Sequence, residues 1–155
     1  MNRWIALALF LFAAFGAAVI GGMATASSVG DWYLTLSKPT WNPPSWVFGP
    51  AWTLLYILMS VAAWRIWLKR NDDGAVDTLW LHGAQLLLNA LWSILFFGLQ
   101  RPDLALINIL VLLAVLILMQ FRLFRSDRTA AYLWLPYLGW VTFAALLNKA
   151  IWLLN

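Results

Sequence analysis

The sequence predicts an all-α integral membrane protein, a bundle of five transmembrane helices with a lid-like loop between the first two. Its 155 residues are 64% hydrophobic and only 10% charged, whereas soluble domains are about 45–50% apolar and about 25% charged. A soluble fold of this length leaves too much of its chain exposed to hide so many apolar side chains. The apolar residues also fall into five segments, each close to the ~20 residues that span a bilayer.

The five predicted helices follow one another in a single domain that takes in the whole chain. They lie near 4–23, 46–68, 78–98, 103–124 and 130–153. Short polar connections separate the last four helices, so neighbouring helices are expected to run antiparallel. Pro102 and Asp103 mark the start of the fourth helix, and Asp103 is predicted to cap it.

The long connection at about 24–45 is predicted to form a lid over one end of the bundle. It is too polar and too rich in proline to span a membrane, yet it is dense in Trp and Tyr. Aromatic residues also gather at membrane interfaces, and for Trp46 both interpretations remain open. For the cluster from Trp41 to Pro44 the lid is favoured, because consecutive prolines fix a rigid entry into the second helix.

The distribution of basic residues predicts the orientation of the bundle. Five Lys or Arg residues lie at the N-terminus and in the 2–3 and 4–5 connections, against two on the opposite side. The positive-inside rule then places the N-terminus in the cytoplasm and the C-terminus outside. For a helical bundle the default location is the inner membrane of a bacterial cell.

The first apolar segment allows a second interpretation. Arg3, the apolar run and the small residues Ala24-Thr25-Ala26 resemble a secretory signal with its cleavage site. The run of about twenty residues exceeds the 7–15 that are usual in a signal core, which favours a retained helix.

Several kinds of chemistry are excluded by the composition. The chain has no Cys and a single histidine, His82, so thiolate sites and a multi-histidine metal centre are not expected. It has no Glu, and none of its six Asp residues lies in the middle of an apolar segment, which argues against a buried acid–base pair. No cofactor is expected. The scattered basic residues fit membrane topology rather than nucleic-acid binding.

Small residues recur at helical spacing in the first helix, at Ala13, Ala17 and Gly21, with Ala14 beside them. Such spacing lets helix backbones approach closely in lipid. It fits packing within the bundle and also a homodimer face, and spacing alone does not separate the two. Membrane lipid is an expected partner in either case.

Longer motifs carry a resemblance to a known family. Residues 32–56 read WYLTLSKPTWNPPSWVFGPAWTLLY, and the chain continues with NALW at 89–92, FFG at 96–98 and PYLGW at 136–140. Together, in this order and at this spacing, these blocks resemble the translocator protein family (TspO/MBR), which includes the bacterial tryptophan-rich sensory proteins and the mitochondrial peripheral-type benzodiazepine receptor. The resemblance covers essentially the whole chain and implies that the first helix is retained.

The resemblance implies a five-helix bundle whose cavity is closed by the first loop and binds porphyrins, such as protoporphyrin IX and related tetrapyrroles, as ligands rather than as cofactors. Three functions remain open: a membrane sensor or translocator for porphyrins, a light-dependent porphyrin-degrading activity, and a lipid-, sterol- or partner-binding bundle without turnover. Family relatives also occur in outer membranes, which leaves the membrane open.

The resemblance also implies the ligand-binding positions, whose helical spacing is consistent with shared faces. They are Tyr33, Trp41, Pro43, Trp52, Tyr56, Asn89, Trp92, Ser93, Trp140, Ala144 and Leu147. Trp52 and Trp140 are the candidates for photochemistry, and Asn89 is the expected polar contact. His82 matches no ligand position and is expected to serve packing or the interface, whereas Gln85 and Asn108 are expected to form interhelical hydrogen bonds.

The chain departs from the mitochondrial members near the end of the fifth helix. Their proposed cholesterol motif has the form Leu/Val…Tyr…Lys/Arg, a pattern of low specificity. Here Lys149 and Leu153 stand where the Tyr and the closing Arg would fall. The motif is therefore absent, which argues against sterol binding.

Overall fold

A computed structural model describes residues 1–155 as an all-helical chain without β-strands. Its helices are α1 (Arg3–Ala26), α2 (Trp32–Thr35), α3 (Phe48–Leu68), α4 (Ala75–Ser93), α5 (Pro102–Ser126) and α6 (Arg128–Leu154). A 3₁₀ turn at Ser45–Val47 leads into α3, and a π-helical turn at Ile94–Gly98 continues α4. The predicted all-α class is confirmed.

Five of these elements are long and apolar enough to cross a membrane. Each has 24 residues or more, which at 1.5 Å per residue gives about 36 Å and exceeds the ~30 Å hydrocarbon core. The protein is therefore a multi-pass membrane protein. The helix ends differ from the predicted ones by up to three residues; α1, for instance, continues to Ala26.

The predicted cap of the fourth long helix is wrong. The helix α5 already begins at Pro102, with Arg101 in the capping position, so Asp103 lies inside the first turn. Its carboxylate accepts hydrogen bonds from the Arg101 guanidinium at 2.9 and 2.6 Å. Proline takes the first helical position because its missing N–H would have no partner there.

The five long helices form a closed ring. Helix α1 packs against α3 and α4, α3 packs against α6, and α5 completes the ring between α6 and α4. The first loop joins α1 to α3 at the end of the bundle where α4 and α6 terminate. We call this end the lid half.

The loop folds back over the lid half as a lid, which we define as residues 27–47. The Ser28 hydroxyl donates to the Phe97 carbonyl at 2.7 Å. Tyr33 is buried and packs on Phe97, with ring centroids 5.5 Å apart. At the far end of α6, Asn155 exchanges two hydrogen bonds of 2.9 Å with the Ser37 backbone. Trp46, by contrast, is 75% exposed.

The opposite end, the basic half, is organised by Asp127 between α5 and α6. This carboxylate is 3% exposed and lies 3.1 Å from both the Arg65 Nε and the Lys69 Nζ. It also accepts from the Ala130 N–H at 2.9 Å, which caps α6. Burial raises the pKa of Asp127, but the hydrogen bonds from Arg65, Ala130 and Lys69 outweigh it, and the pKa falls to about 2.

The small residues of α1 face the inside of the bundle. Ala14, Ala17 and Gly21 are buried, whereas Ala13 is exposed. A Cβ atom on Gly21 would lie 3.1 Å from the Ser93 Oγ of α4. Packing within the bundle therefore accounts for this stripe, while a homodimer stays a prediction.

Candidate functional site

A cavity of about 490 Å³ lies in the lid half, between α1, α3, α4 and α6 and beneath the lid. Its volume falls in the range of ~300–1,000 Å³ that is usual for small-molecule sites. Most of its wall is aromatic or aliphatic, and Asn89, Ser93 and Asn148 are among its few polar side chains. An enclosed apolar site with a few polar groups suits a largely apolar ligand of fixed orientation.

Most of the sequence-predicted site residues line this one cavity. They are Tyr33, Trp52, Tyr56, Asn89, Trp92, Ser93, Trp140, Ala144 and Leu147. The helices bring them together because each contributes one stripe at i, i+3 or i+4 spacing.

Two predicted residues lie elsewhere. Trp41 is 47% exposed and borders a shallow groove on the outer face of α6, where it meets Phe143 edge-on at 5.7 Å. Pro43 lines neither the groove nor the cavity. Phe143 lines both, so Trp41 is separated from the cavity by a single aromatic ring. A role for Trp41 and Pro43 in ligand binding stays a prediction.

Three indoles form the walls of the cavity. Trp52 and Trp140 are nearly perpendicular, at 87° with ring centroids 6.4 Å apart. Phe48 meets Trp140 edge-on at 6.0 Å, while Trp92 stacks on Phe96 at 5.2 Å. Edge-on and stacked pairs hold aromatic rings in place, so the walls are ordered without a ligand.

The π-helical turn at the end of α4 explains the position of the lid. It places both Phe96 and Phe97 in the interior, where they are 2% and 9% exposed. Together they support the Tyr33 ring from below. Such turns insert an extra residue into a helix and are frequent at functional sites. The sequence shows only an apolar run here, so this turn was not predicted.

The polar end of the cavity is a hydrogen-bonded set. The Tyr56 hydroxyl donates to the Asn89 Oδ1 at 3.0 Å, and the Asn89 Nδ2 donates to the Tyr137 oxygen at 2.7 Å. Asn89 thus orients both groups and keeps one N–H and one lone pair free. Sequence reasoning missed Tyr137, although it lies three residues before Trp140 on the same stripe.

A second amide fixes one of the walls. Asn148 accepts from the Trp92 Nε1 at 2.9 Å and donates to the Pro102 carbonyl at 2.9 Å. Its side chain therefore ties the indole of α4 to the first turn of α5. Asn148 lines the cavity but was not among the predicted site residues.

The predicted interhelical hydrogen bonds are confirmed. The Gln85 Oε1 accepts from the Tyr137 hydroxyl at 2.7 Å, which joins α4 to α6. The Asn108 Nδ2 donates to the Leu88 carbonyl at 2.9 Å, which joins α5 to α4. His82 is 3% exposed within the bundle, as the packing interpretation expected.

The fold and the site together define a class, a multi-pass helical membrane protein with an aromatic cavity closed by a lid. Nowhere do three His, Cys, Asp or Glu side chains lie close enough to hold a metal ion. The cavity therefore offers aromatic faces, hydroxyls and amides, and these groups bind ligands by stacking and hydrogen bonding.

Comparison with known proteins identifies the family. The sequence model of the TspO/MBR family matches residues 8–153. The tryptophan-rich protein TspO of Archaeoglobus fulgidus is 46% identical over 137 residues, which cover 87% of each chain. The tryptophan-rich sensory protein of Cereibacter sphaeroides is 40% identical over 155 residues, covering 100% of this chain and 95% of that one. The chain belongs to the TspO/MBR family.

The family also reaches animals. The human translocator protein is 35% identical over 123 residues, which cover 78% of this chain and 73% of the relative. The shared region is thus most of each chain, and the resemblance found from motifs is confirmed over nearly the whole sequence.

Proposed function

We propose that the protein is a membrane receptor that binds a porphyrin, such as protoporphyrin IX, in the cavity under the lid. The observation that carries this proposal is the enclosed 490 Å³ cavity walled by Trp52, Trp92 and Trp140. A flat macrocycle has two broad apolar faces, which pack well on indole rings. Its few polar substituents match the small number of polar groups at Asn89 and Tyr56.

Two of its relatives are named a sensory protein and a translocator protein, and both names fit a protein that binds a small molecule inside a membrane bundle. We infer that ligand binding is the step common to both activities. The lid supports this inference, because it covers the cavity from one side of the membrane and contacts it directly through Tyr33.

The test is a titration of the purified protein with protoporphyrin IX, read as quenching of Trp fluorescence. Wild type is expected to show saturable binding, and Trp52→Phe and Trp140→Phe should each weaken it about three- to tenfold, the equivalent of one aromatic contact. Trp80→Phe is the matched control, because Trp80 lies on α4 but is 75% exposed and does not line the cavity. If both cavity variants bind like wild type, the proposed site is wrong.

A sterol or another bulky apolar compound distinguishes a porphyrin receptor from a general lipid-binding bundle. The proposal expects the porphyrin to bind in preference to such a compound. Equal competition by both would favour the lipid-binding function instead.

Light-dependent degradation of the porphyrin is a second candidate, favoured by one observation. Trp52 contacts Tyr56, Tyr137 and Trp140 at ring-centroid distances of 5.6 to 6.4 Å, so a ligand against Trp52 would lie beside a cluster of oxidisable rings. In this activity dioxygen adds to the light-excited macrocycle. Absorption spectra in light and dark test it, and product formation that is unaffected in Trp52→Phe and Trp140→Phe would count against it.

We also propose that the basic half faces the cytoplasm of a bacterial cell and the lid faces outward. The support is the excess of Lys and Arg at the basic half. The chain has no Cys, so single substitutions at the exposed Ser126 and Ser27 give clean labels. A thiol reagent that does not cross the membrane, applied from outside, should modify Ser27→Cys and spare Ser126→Cys. The reverse pattern would invert the orientation.

A further inference from the structure

A continuous hydrogen-bonded chain runs from the cavity to a histidine that does not line it. Tyr56 donates to Asn89 (3.0 Å), Asn89 to Tyr137 (2.7 Å) and Tyr137 to the Gln85 Oε1 (2.7 Å). The Gln85 Nε2 then lies 3.3 Å from the His82 Nδ1. All four links are buried, and the chain connects the lid half with the basic half.

All the donors along this chain point the same way. Because Gln85 presents its N–H₂ group, the His82 Nδ1 must accept, and the imidazole proton therefore lies on Nε2. The Nε2 atom is buried and has no hydrogen-bond partner, which is a costly state for an N–H group. At the other end, the Tyr56 hydroxyl donates inside the protein and offers only its oxygen lone pairs to the cavity.

The same side chains can form the chain in the opposite direction. Turning over the amides of Gln85 and Asn89 lets the His82 Nδ1–H donate to Gln85, and every following link reverses without moving the backbone. The proton of Tyr56 is then free to point into the cavity. His82 keeps an unpartnered acceptor at Nε2 in place of an unpartnered N–H, and buried acceptors are left unpaired more often than N–H groups.

Nothing else around His82 fixes its proton. Its ring meets Phe10 and Trp134 edge-on at 5.9 and 6.2 Å. The small void beside it is lined by apolar residues and Thr78, with no charged side chain. The His82 tautomer is therefore determined by the direction of the chain.

We propose that His82 is a specificity-determining residue of the cavity, which acts through Gln85, Tyr137 and Asn89 on the donor that Tyr56 presents. This inference rests on the proposed function. A ligand group that accepts hydrogen bonds strongly, such as a porphyrin carboxylate, stabilises the reversed chain and the Nδ1–H tautomer. A ligand without such a group leaves the chain in the direction seen in the structure.

Nitrogen-15 NMR tests the tautomer directly. The chain has one histidine, so labelling with ¹⁵N-histidine reports His82 alone, and the two ring nitrogens have distinct shifts in each tautomer. Saturation with protoporphyrin IX is expected to move the proton from Nε2 to Nδ1, whereas its dimethyl ester, a weaker acceptor, leaves it on Nε2. An unchanged tautomer in protein saturated with the free acid overturns the proposal.

Substitutions test the coupling. Wild type is expected to prefer the free acid over the ester by about tenfold, since hydrogen bonds to charged acceptors are roughly twice as strong as neutral ones. His82→Phe and Tyr137→Phe should each remove most of this preference, and the double variant should lose no more than either alone. Met119→Leu is the control, because Met119 lines the same void as His82 without joining the chain, and it should keep the preference.

Two outcomes contradict the proposal by itself: a wild-type preference in His82→Phe, or a further loss when His82→Phe is added to Tyr137→Phe. Absence of saturable binding of either compound to wild type would overturn the proposed function and this inference together. Saturable binding with an unchanged tautomer would overturn the inference alone.

Discussion

The two halves of the bundle use the same kind of residue in different ways. Trp134 and Trp140 lie six residues apart on α6, yet Trp134 is fully buried and donates to the Leu116 carbonyl at 3.4 Å, while Trp140 lines the cavity. In the basic half the indole fills space, and in the lid half it borders space. Aromatic content alone therefore does not mark a binding site.

The difference arises from what lies opposite each ring. In the lid half, small residues of α1 and α6 such as Ala18, Gly21 and Ala144 line the cavity together with the aromatic residues. Small side chains cannot reach across, so a volume stays open. In the basic half, large residues such as Met119 and Leu123 are fully buried near Trp134, and the interior is close-packed as in other proteins.

The sharpest test of this contrast is truncation of the two tryptophans. Trp134→Ala is expected to lower the free energy of unfolding by about 3–5 kcal/mol, because it leaves a void in a packed core. Trp140→Ala should cost only about 1–2 kcal/mol, mainly from lost ring contacts, while ligand binding weakens. Unfolding in mixed detergent micelles measures both. Equal costs would show that the lid half is packed as tightly as the basic half.

A smaller effect is expected from acid, and only through the basic half. The pKa of Asp127 falls from 3.8 to about 2, so this group stabilises the fold fully above pH ~5 and loses its contribution as the pH falls toward 2, roughly 2 kcal/mol in all. Asp127→Asn should remove this pH dependence. Asp73→Asn is the control, because Asp73 is exposed and forms no ion pair. An acid transition that persists in Asp127→Asn would contradict the assignment.

The smallest effect concerns two adjacent glycines of α1. A Cβ atom at Gly21 would meet Ser93 at 3.1 Å, whereas one at Gly22 would meet nothing within 4 Å. Gly22→Ala is expected to stabilise α1 by up to about 1 kcal/mol through helix propensity. Gly21→Ala should lose most of that gain, because Ser93 must shift. The two melting temperatures decide the point, and identical gains would show that α1 and α4 do not pack closely at Gly21.

The number of helices, their order and the presence of the lid were predictable because they depend on local properties of the chain. A segment such as 103–124 is apolar enough to span a membrane wherever it packs. The proline cluster at Pro43 and Pro44 likewise stops a helix in any context. Stripes of cavity residues such as Trp52 and Tyr56 follow from helical periodicity, although only the family motifs pointed to them as ligand contacts.

Tertiary structure alone decided which of these residues meet and which remain apart. It placed Trp41 outside the cavity, because the lid crosses the end of the bundle at a height that periodicity does not encode. It joined Tyr56, Asn89 and Tyr137 from three helices, and it left His82 with an unpartnered nitrogen. Membrane insertion depends on each segment's own transfer free energy, whereas hydrogen-bond partners depend on the rotation and depth of every helix relative to its neighbours.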